Sequence, residues 1–457
     1  MPWSEISPGH WQRPIGENEA MIKWIGDRAH PTGREHWSVR AIGGFDLSGS
    51  LDDVDISSRL RKAWMLFRFQ HPSIASTAST NSLDYIVPDA EALERWTDET
   101  LHVISEPGIT ADDLVANLKP SPYVTGYFIA HPKQFILHTA HWRTDGPGIL
   151  QLLNAFFEAF VSELDPATVP WGNEPVRLAP SVEEVLELPQ EPTPEIQAAT
   201  AECLKSGALV AGSIGLPYHN DASIKPQGTR GVRRTLSKSI TDSVLDACKA
   251  RNLTPLSAAH ASLAAANFVG CTSSPSEMGH YTSNMRFSLR PYLKEPFNSA
   301  QYASALYTGS YMAKVPPNNS WLENAEQYNT MYNAGLNHEF LIARRQFATQ
   351  ILAFLKRAGE LGPPRSEIDI SSVDDAEKLV QRIHRSGTQG GGSLKVKDIS
   401  LGIECLAKES YLFFWTFAGK IELNLIFNEA FYDRDFMERI MEEIERSLKR
   451  ELEVENV

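Results

Sequence analysis

The stretch from Tyr123 to Leu164 constrains the fold more than any other part of the chain. Two β-rich runs, YVTGYFIA and QFILHTA, flank the turn HPKQ and read as a hairpin. A polar connection follows, His141-Trp142-Arg143-Thr144-Asp145-Gly146, and then PGILQLLNAFFEAFVSEL. There Ile149, Leu152, Leu153, Phe156, Phe157, Phe160, Val161 and Leu164 recur at helical spacing. Pro147 suits the first turn, where its missing N–H costs nothing. A hairpin strand feeding a long amphipathic helix is a unit of layered α/β structure.

With 457 residues the chain is too long for one ordinary core, so two domains are expected. Prolines cluster at 166, 170, 175, 180, 189, 192 and 194, a linker composition. The boundary is placed at 185/186, which gives domains 1–185 and 186–457. In the first, HWSVRAIGGFDLSG reads as strand and turn. LDDVDISSRLRKAWMLFRFQHP reads as a helix, with Asp52, Asp53 and Asp55 at its positive end and Pro72 as its stop. In the second, TDSVLDACKARN is a helix, and Thr254 caps another with Pro255 in its first turn. GHYTSNMRFSLRPYL reads as a strand, YLFFWTFAGKIELNLIFN as a hairpin, and DRDFMERIMEEIERSLKRELE as an amphipathic helix.

A formal net charge of −14 argues against a nucleic-acid binder, whose phosphate-tracking surface needs basic excess. The four cysteines (203, 248, 271 and 405) form no CxxC pair, so neither a disulfide framework nor a structural zinc site is expected. MPWSEISPGHWQRPIGENEA has no signal-peptide character, and no run approaches the roughly 18 apolar residues of a membrane span. The expectation is a soluble cytoplasmic protein without membrane contact.

The polar connection has several readings. His138 and His141 are three apart, so a strand would aim them to opposite faces, and no further ligand lies nearby. A zinc ion wants three or four ligands, so no metal is expected. Both histidines can be strand-end residues satisfied by the backbone. Alternatively, His141 is held rigidly between strand and helix and serves as a base toward a bound hydroxyl or amine.

His141-Trp142-Arg143-Thr144-Asp145-Gly146 resembles the HxxxDG motif of the CoA-dependent acyltransferase superfamily, which includes chloramphenicol acetyltransferase, the plant BAHD enzymes and condensation domains. Asn284-Met285-Arg286, followed by Arg290-Pro291, resembles the family strand whose arginine pairs with the motif aspartate. Asp398-Ile399-Ser400-Leu401-Gly402 resembles a degenerate DFGWG motif, keeping only Asp398 and Gly402. YTSNMRFSLRPYL with the later YTGSYM is most similar to fungal enzymes such as the trichothecene 15-O-acetyltransferases. Ala140 stands where condensation domains usually have a first histidine.

The resemblance implies two chloramphenicol-acetyltransferase-like α/β lobes in pseudo-dimeric arrangement, with an active-site tunnel at their interface. It implies an acyl-CoA-dependent acyltransferase, with acetyl-CoA as co-substrate and a hydroxyl on a fungal secondary metabolite as acceptor. His141 is then the general base, and Asp145 a structural partner of Arg286, with Arg290 as the alternate. Ser400 is the candidate oxyanion donor, its other reading an ordinary strand serine. CoA phosphates have two candidate contacts, the basic run Arg230, Arg233, Arg234 and Lys238, and the loop HRSGTQGGGSLKVK. In that loop the Gly390–Leu394 stretch echoes a phosphopantetheine site, but a carrier protein needs a helix there and LKVKDIS reads as strand. The family implies a monomer. Two alternatives stand beside this reading. One is a condensation-type enzyme whose thioester rides on a carrier protein. The other is a non-acylating member, cyclase-like or inactive, that binds a small molecule in the tunnel.

Overall fold

The structure is a computed structural model that describes residues 2–52, 55–219, 223–271, 279–358, 365–387 and 391–454. The chain divides into two compact units. Unit 1 comprises Met1–Pro189, Ser288–Tyr307 and Ala376–Glu404, and unit 2 comprises Gln190–Phe287, Thr308–Asp375 and Cys405–Val457. The first crossing falls at Pro189/Gln190, inside the proline-rich stretch. Two later segments of the expected second domain belong to unit 1, so the units are not the contiguous halves that a single boundary at 185 describes.

Unit 1 is built on a six-stranded sheet. Its order is Ile383–Arg385, Ser393–Ile403, Val39–Ser48, Gln134–Thr139, Thr125–Ile129 and Leu101–Ile104. The expected hairpin is present, with Thr125 opposite His138 and Ile129 opposite Gln134. Side chains alternate faces along Gln134–Thr139. On one face Phe135 stacks on Phe156 at 3.7 Å between ring centres, and Phe45 meets Phe157 edge-on. These contacts seat the helix Gly146–Val161, with Trp64 of the helix Ile56–Gln70 packed beside it. Close approach fixes two glycines of this layer. A Cβ on Gly43 would meet Phe157 at 2.7 Å, and one on Gly126 would meet Phe135 at 2.7 Å. On the other face Ile42, Ile129 and Ile136 pack with Ala111 and Val115.

The helix Ile56–Gln70 begins later than the acidic run suggests. Asp55 is its N-cap, accepting from the N–H of Ser57 and Ser58, while Asp52 ends the preceding turn and Asp53 lies outside the described residues. A smaller sheet in unit 1 joins Ser4–Ser7, His10–Pro14, Ser82–Ile86 and Thr77–Ala78.

Unit 2 carries a four-stranded sheet in the order Ile368–Asp375, Ser410–Phe417, Lys420–Asn428 and Thr229–Thr235. The first pair is parallel, which requires a crossover between the two strands. That crossover is Ala376–Glu404, the stretch that supplies two strands to the unit 1 sheet. The helix Pro255–Gly270 is buried along most of its length, with Thr254 capping it as expected, and the closing helix Arg434–Glu451 buries Met437, Ile440, Met441, Ile444 and Leu448. The helix Pro194–Gly207 emerges inside the proline-rich stretch, because Pro194 sits in its first turn and Thr193 caps it.

Candidate active site

The strand Gln134–Thr139 ends two residues before His141, and the chain then makes a single tight turn, His141–Arg143. Asp145 is the N-cap of the helix Gly146–Val161. Its carboxylate accepts from Gly148 N–H at 2.8 Å. The same carboxylate takes Arg290 Nη1 at 2.7 and 2.8 Å and the Tyr307 N–H at 2.9 Å. The Asp145 and Arg290 side chains are only 2% and 7% exposed, so this ion pair is buried.

The expected partner of Asp145, Arg286, is elsewhere. It lies in unit 2, where Nη2 donates to Asp369 at 2.8 Å and Nη1 to the Ile370 carbonyl. Asp369 also accepts from the Asn284 backbone and side-chain N–H groups. The physical reason is the end of the strand. Tyr281–Ser288 stops two residues before Arg290, and Arg290 opens a tight turn that leaves the strand's alternation. Arg290, the alternate, therefore closes the pair.

His141 is half-buried, and its Nδ1 lies 2.8 Å from the carbonyl oxygen of Thr144. A carbonyl oxygen only accepts, so Nδ1 carries the proton and, in the neutral ring, Nε2 holds the lone pair. Thr144 is fixed in turn, its hydroxyl donating to the Ala303 carbonyl at 2.8 Å. Gly148 lets these groups converge. A Cβ there would sit 2.4 Å from both Thr144 Oγ1 and the Ala303 oxygen. The motif's other neighbours are structural. Arg143 is buried and spends its N–H groups on Thr139 Oγ1, the Ser73, Ser76 and Pro122 carbonyls and Ser76 Oγ. Burial pulls its pKa down to about 10, against the opposing charges of Glu35 and Glu19. The sequence carries little local signal for this arginine, because apart from Thr139 its acceptors lie 21 to 70 residues away along the chain. His138, on the alternate face, is buried, and burial followed by the Arg40 charge pulls its pKa to about 3.

The second motif lies in the strand Ser393–Ile403. Asp398 is opposite Gly44, where a Cβ would meet its carboxylate oxygens at 2.7 Å, and its side chain is exposed. Gly402 is opposite Arg40, whose guanidinium crosses at 3.0 Å from a would-be Cβ and donates to the Ile403 carbonyl. Both positions thus serve strand packing. Ser400 is aligned with Ile42 and through it with Ile136, five residues before His141. Three strand residues, about 10 Å, separate that level from the strand end that carries His141.

The basic run is largely neutralised within unit 2. Arg230 pairs with Glu429, Arg234 with Glu438, and Lys238 with Asp242. In the glycine-rich loop, residues 388–390 lie outside the described residues, and Ser393 opens a strand rather than the helix a carrier site needs. One group with metal-ligand spacing occurs among the described residues, Asp27, His30 and Glu35. The hydrogen bond that His30 donates to Glu35 raises its pKa, and Lys23 pairs with Asp27.

Among characterised proteins, the chain is 50% identical over 437 residues to acetyltransferase pigO of Monascus ruber, covering 95% of this chain and 94% of the relative. The chain belongs to that acetyltransferase family. It is an acyltransferase, and its reaction takes an acyl donor and a small-molecule acceptor. O-acetyltransferase pigM of Monascus ruber is 29% identical over 459 residues, 100% of this chain and 88% of the relative. In fold, the enzyme matches the TRI3 trichothecene 15-O-acetyltransferase of Fusarium sporotrichioides with a TM-score of 0.82 at 16% identity, over 98% and 97% of the two chains. No family model matches the chain. Among the described residues no helix is long and apolar enough to cross a membrane.

Proposed function

We propose that the enzyme transfers an acetyl group from acetyl-coenzyme A to a hydroxyl of a fungal secondary metabolite, with His141 as general base. The observation that carries this reading is the 2.8 Å contact from His141 Nδ1 to the Thr144 carbonyl. It fixes the ring's orientation and leaves Nε2 as the basic atom.

In the step that follows from this geometry, Nε2 takes the acceptor's hydroxyl proton as that oxygen attacks the thioester carbonyl. The new C–O bond forms while the carbonyl electron pair moves to oxygen. The tetrahedral species collapses by breaking the C–S bond, and the coenzyme A thiolate leaves with the proton from His141. A neutral imidazole is too weak to ionise an alcohol beforehand, so proton transfer accompanies attack. Asp145 takes no part in moving the proton, because both its oxygens are already engaged by Arg290, Gly148 and Tyr307. A positioned base contributes about 10²–10⁴-fold, and holding donor and acceptor together contributes about 7–11 kcal/mol.

The test is mass spectrometry of hydroxylated fungal metabolites incubated with the enzyme and acetyl-CoA. The expected product is heavier by one acetyl group, with release of one free thiol per product. Transfer only from a carrier-protein thioester, with none from acetyl-CoA, would overturn the donor assignment. Absence of any acyl product with either donor would overturn the reading as a whole.

A further inference from the structure

The peptide group between Thr144 and Asp145 carries the carbonyl that meets His141 Nδ1 at 2.8 Å. It lies between the tight turn His141–Arg143 and the helix Gly146–Val161. Both of its residues are extended, Thr144 at φ −160° and ψ 170°, Asp145 at φ −122° and ψ −177°. The helix ladder begins only with the next carbonyl, that of Asp145, which accepts from the Ile149 N–H. Side chains hold the Thr144 carbonyl instead. Thr144 is fully buried and donates its hydroxyl to the Ala303 carbonyl at 2.8 Å. Across the peptide bond, Asp145 is held by Arg290 and the Tyr307 N–H. Ala303, Arg290 and Tyr307 all belong to Ser288–Tyr307, a segment of unit 1. One segment therefore pins this peptide group from both sides.

The direction of that carbonyl bears on which nitrogen of His141 is basic. A neutral imidazole has two tautomers, and the hydrogen bond made by one nitrogen selects which of them keeps the proton. A carbonyl oxygen at Nδ1 selects the Nδ1–H form. It also favours the imidazolium that forms when Nε2 takes a proton, because a hydrogen bond from a charged donor is stronger. A carbonyl turned away would release both the tautomer and the ring orientation. Threonine and valine share a shape, so the hydroxyl is the part of Thr144 that anchors.

We propose that Thr144 is a positioning residue for acyl transfer. Its hydroxyl, anchored on Ala303, aims the Thr144 carbonyl at His141 Nδ1 and keeps Nε2 as the lone-pair nitrogen. This deepens the reading of His141 as general base and rests on it. Thr144 acts through the ring and moves no proton itself.

The test uses the full-length enzyme with isotope-labelled histidine and nitrogen NMR, the His141 signals being assigned by their loss in His141→Ala. In the parent, with the ring neutral, the expected pattern is a protonated Nδ1 and an unprotonated Nε2. Thr144→Val should mix the two tautomers and lower kcat about three- to tenfold, the worth of one hydrogen bond, with the KM for acetyl-CoA unchanged. Thr144→Ser keeps the hydroxyl and should restore both the pattern and kcat. Thr97→Val is the matched control, since Thr97 is equally buried in unit 1 and donates to the Leu93 carbonyl. It should move neither readout. An unprotonated Nδ1 in the parent overturns the proposal without any variant. Thr144→Val overturns it if either the pattern or kcat stays at the parent value, and so does a Thr144→Ser enzyme as impaired as Thr144→Val. The base assignment fails separately, when His141→Ala turns over at the parent rate.

Discussion

Asp145 and Arg290 form a buried ion pair in which a single guanidinium nitrogen reaches both carboxylate oxygens, at 2.7 and 2.8 Å. Each oxygen takes one further donor from the backbone, Gly148 N–H on one and Tyr307 N–H on the other. The start of the helix Gly146–Val161 is thereby tied to the segment Ser288–Tyr307 of the same unit. The aspartate of the motif shapes the turn that holds His141 and leaves the imidazole to the Thr144 carbonyl.

Removing Arg290 should strand the Asp145 charge. Arg290→Met is expected to cost about 3–5 kcal/mol. Arg286→Met should also destabilise, but through Asp369. A double-mutant cycle in urea separates them. Asp145→Asn should couple strongly to Arg290→Met, and add to Arg286→Met within about 0.5 kcal/mol. Equal coupling to both arginines would contradict the pairing.

Gly148 should tolerate no side chain. Gly148→Ala pushes a methyl to 2.4 Å from Thr144 Oγ1 and the Ala303 oxygen, so it should cost about 1–3 kcal/mol. Gly207 is the control, at the end of the helix Pro194–Gly207 with nothing within 4 Å of a would-be Cβ. Gly207→Ala should be neutral or stabilise by up to about 1 kcal/mol. Thermal melting of both variants checks the contrast.

His138 should make the fold sensitive to mild acid. Its folded pKa is about 3, pulled down by burial and then by Arg40, against about 6.5 unfolded. Between those values the unfolded chain binds the extra proton, so stability is full above about pH 6.5 and falls as the pH drops toward 3. Inside that window the loss approaches about 1 kcal/mol per pH unit. His138→Leu removes the linkage. Urea midpoints measured from pH 7 to pH 4.5 should therefore fall less steeply in the variant than in the parent, and parallel slopes would contradict the assignment.

The sequence made the surroundings of the motif readable because apolar spacing there is strong. Phe135 and Phe156 report the strand and the helix, and their rings stack as the two periods require. Elsewhere the local signal is weak. The strand IDISSVDD has five polar residues in eight, as suits one edge of its sheet, and its parallel partner lies beyond a crossover. The helix Pro194–Gly207 hides in a proline cluster whose prolines also start helices. Alternation along a strand puts Arg286 and Arg290 on one face, but it cannot show that the strand stops at Ser288. The level of Ser400 relative to the strand that leads to His141 is likewise set by register across three strands, which no local pattern shows. Arg143 is silent in sequence, because backbone carbonyls hold it.

Whether the His141 imidazole acts as the base through Nε2 is decided by one measurement. Acetyl transfer from acetyl-CoA to an accepted alcohol is compared between the parent enzyme and His141→Ala, with folding verified by the urea midpoint. A fall in kcat of about 10²–10⁴-fold is expected, with little change in the KM for acetyl-CoA. Turnover by His141→Ala at the parent rate would contradict it.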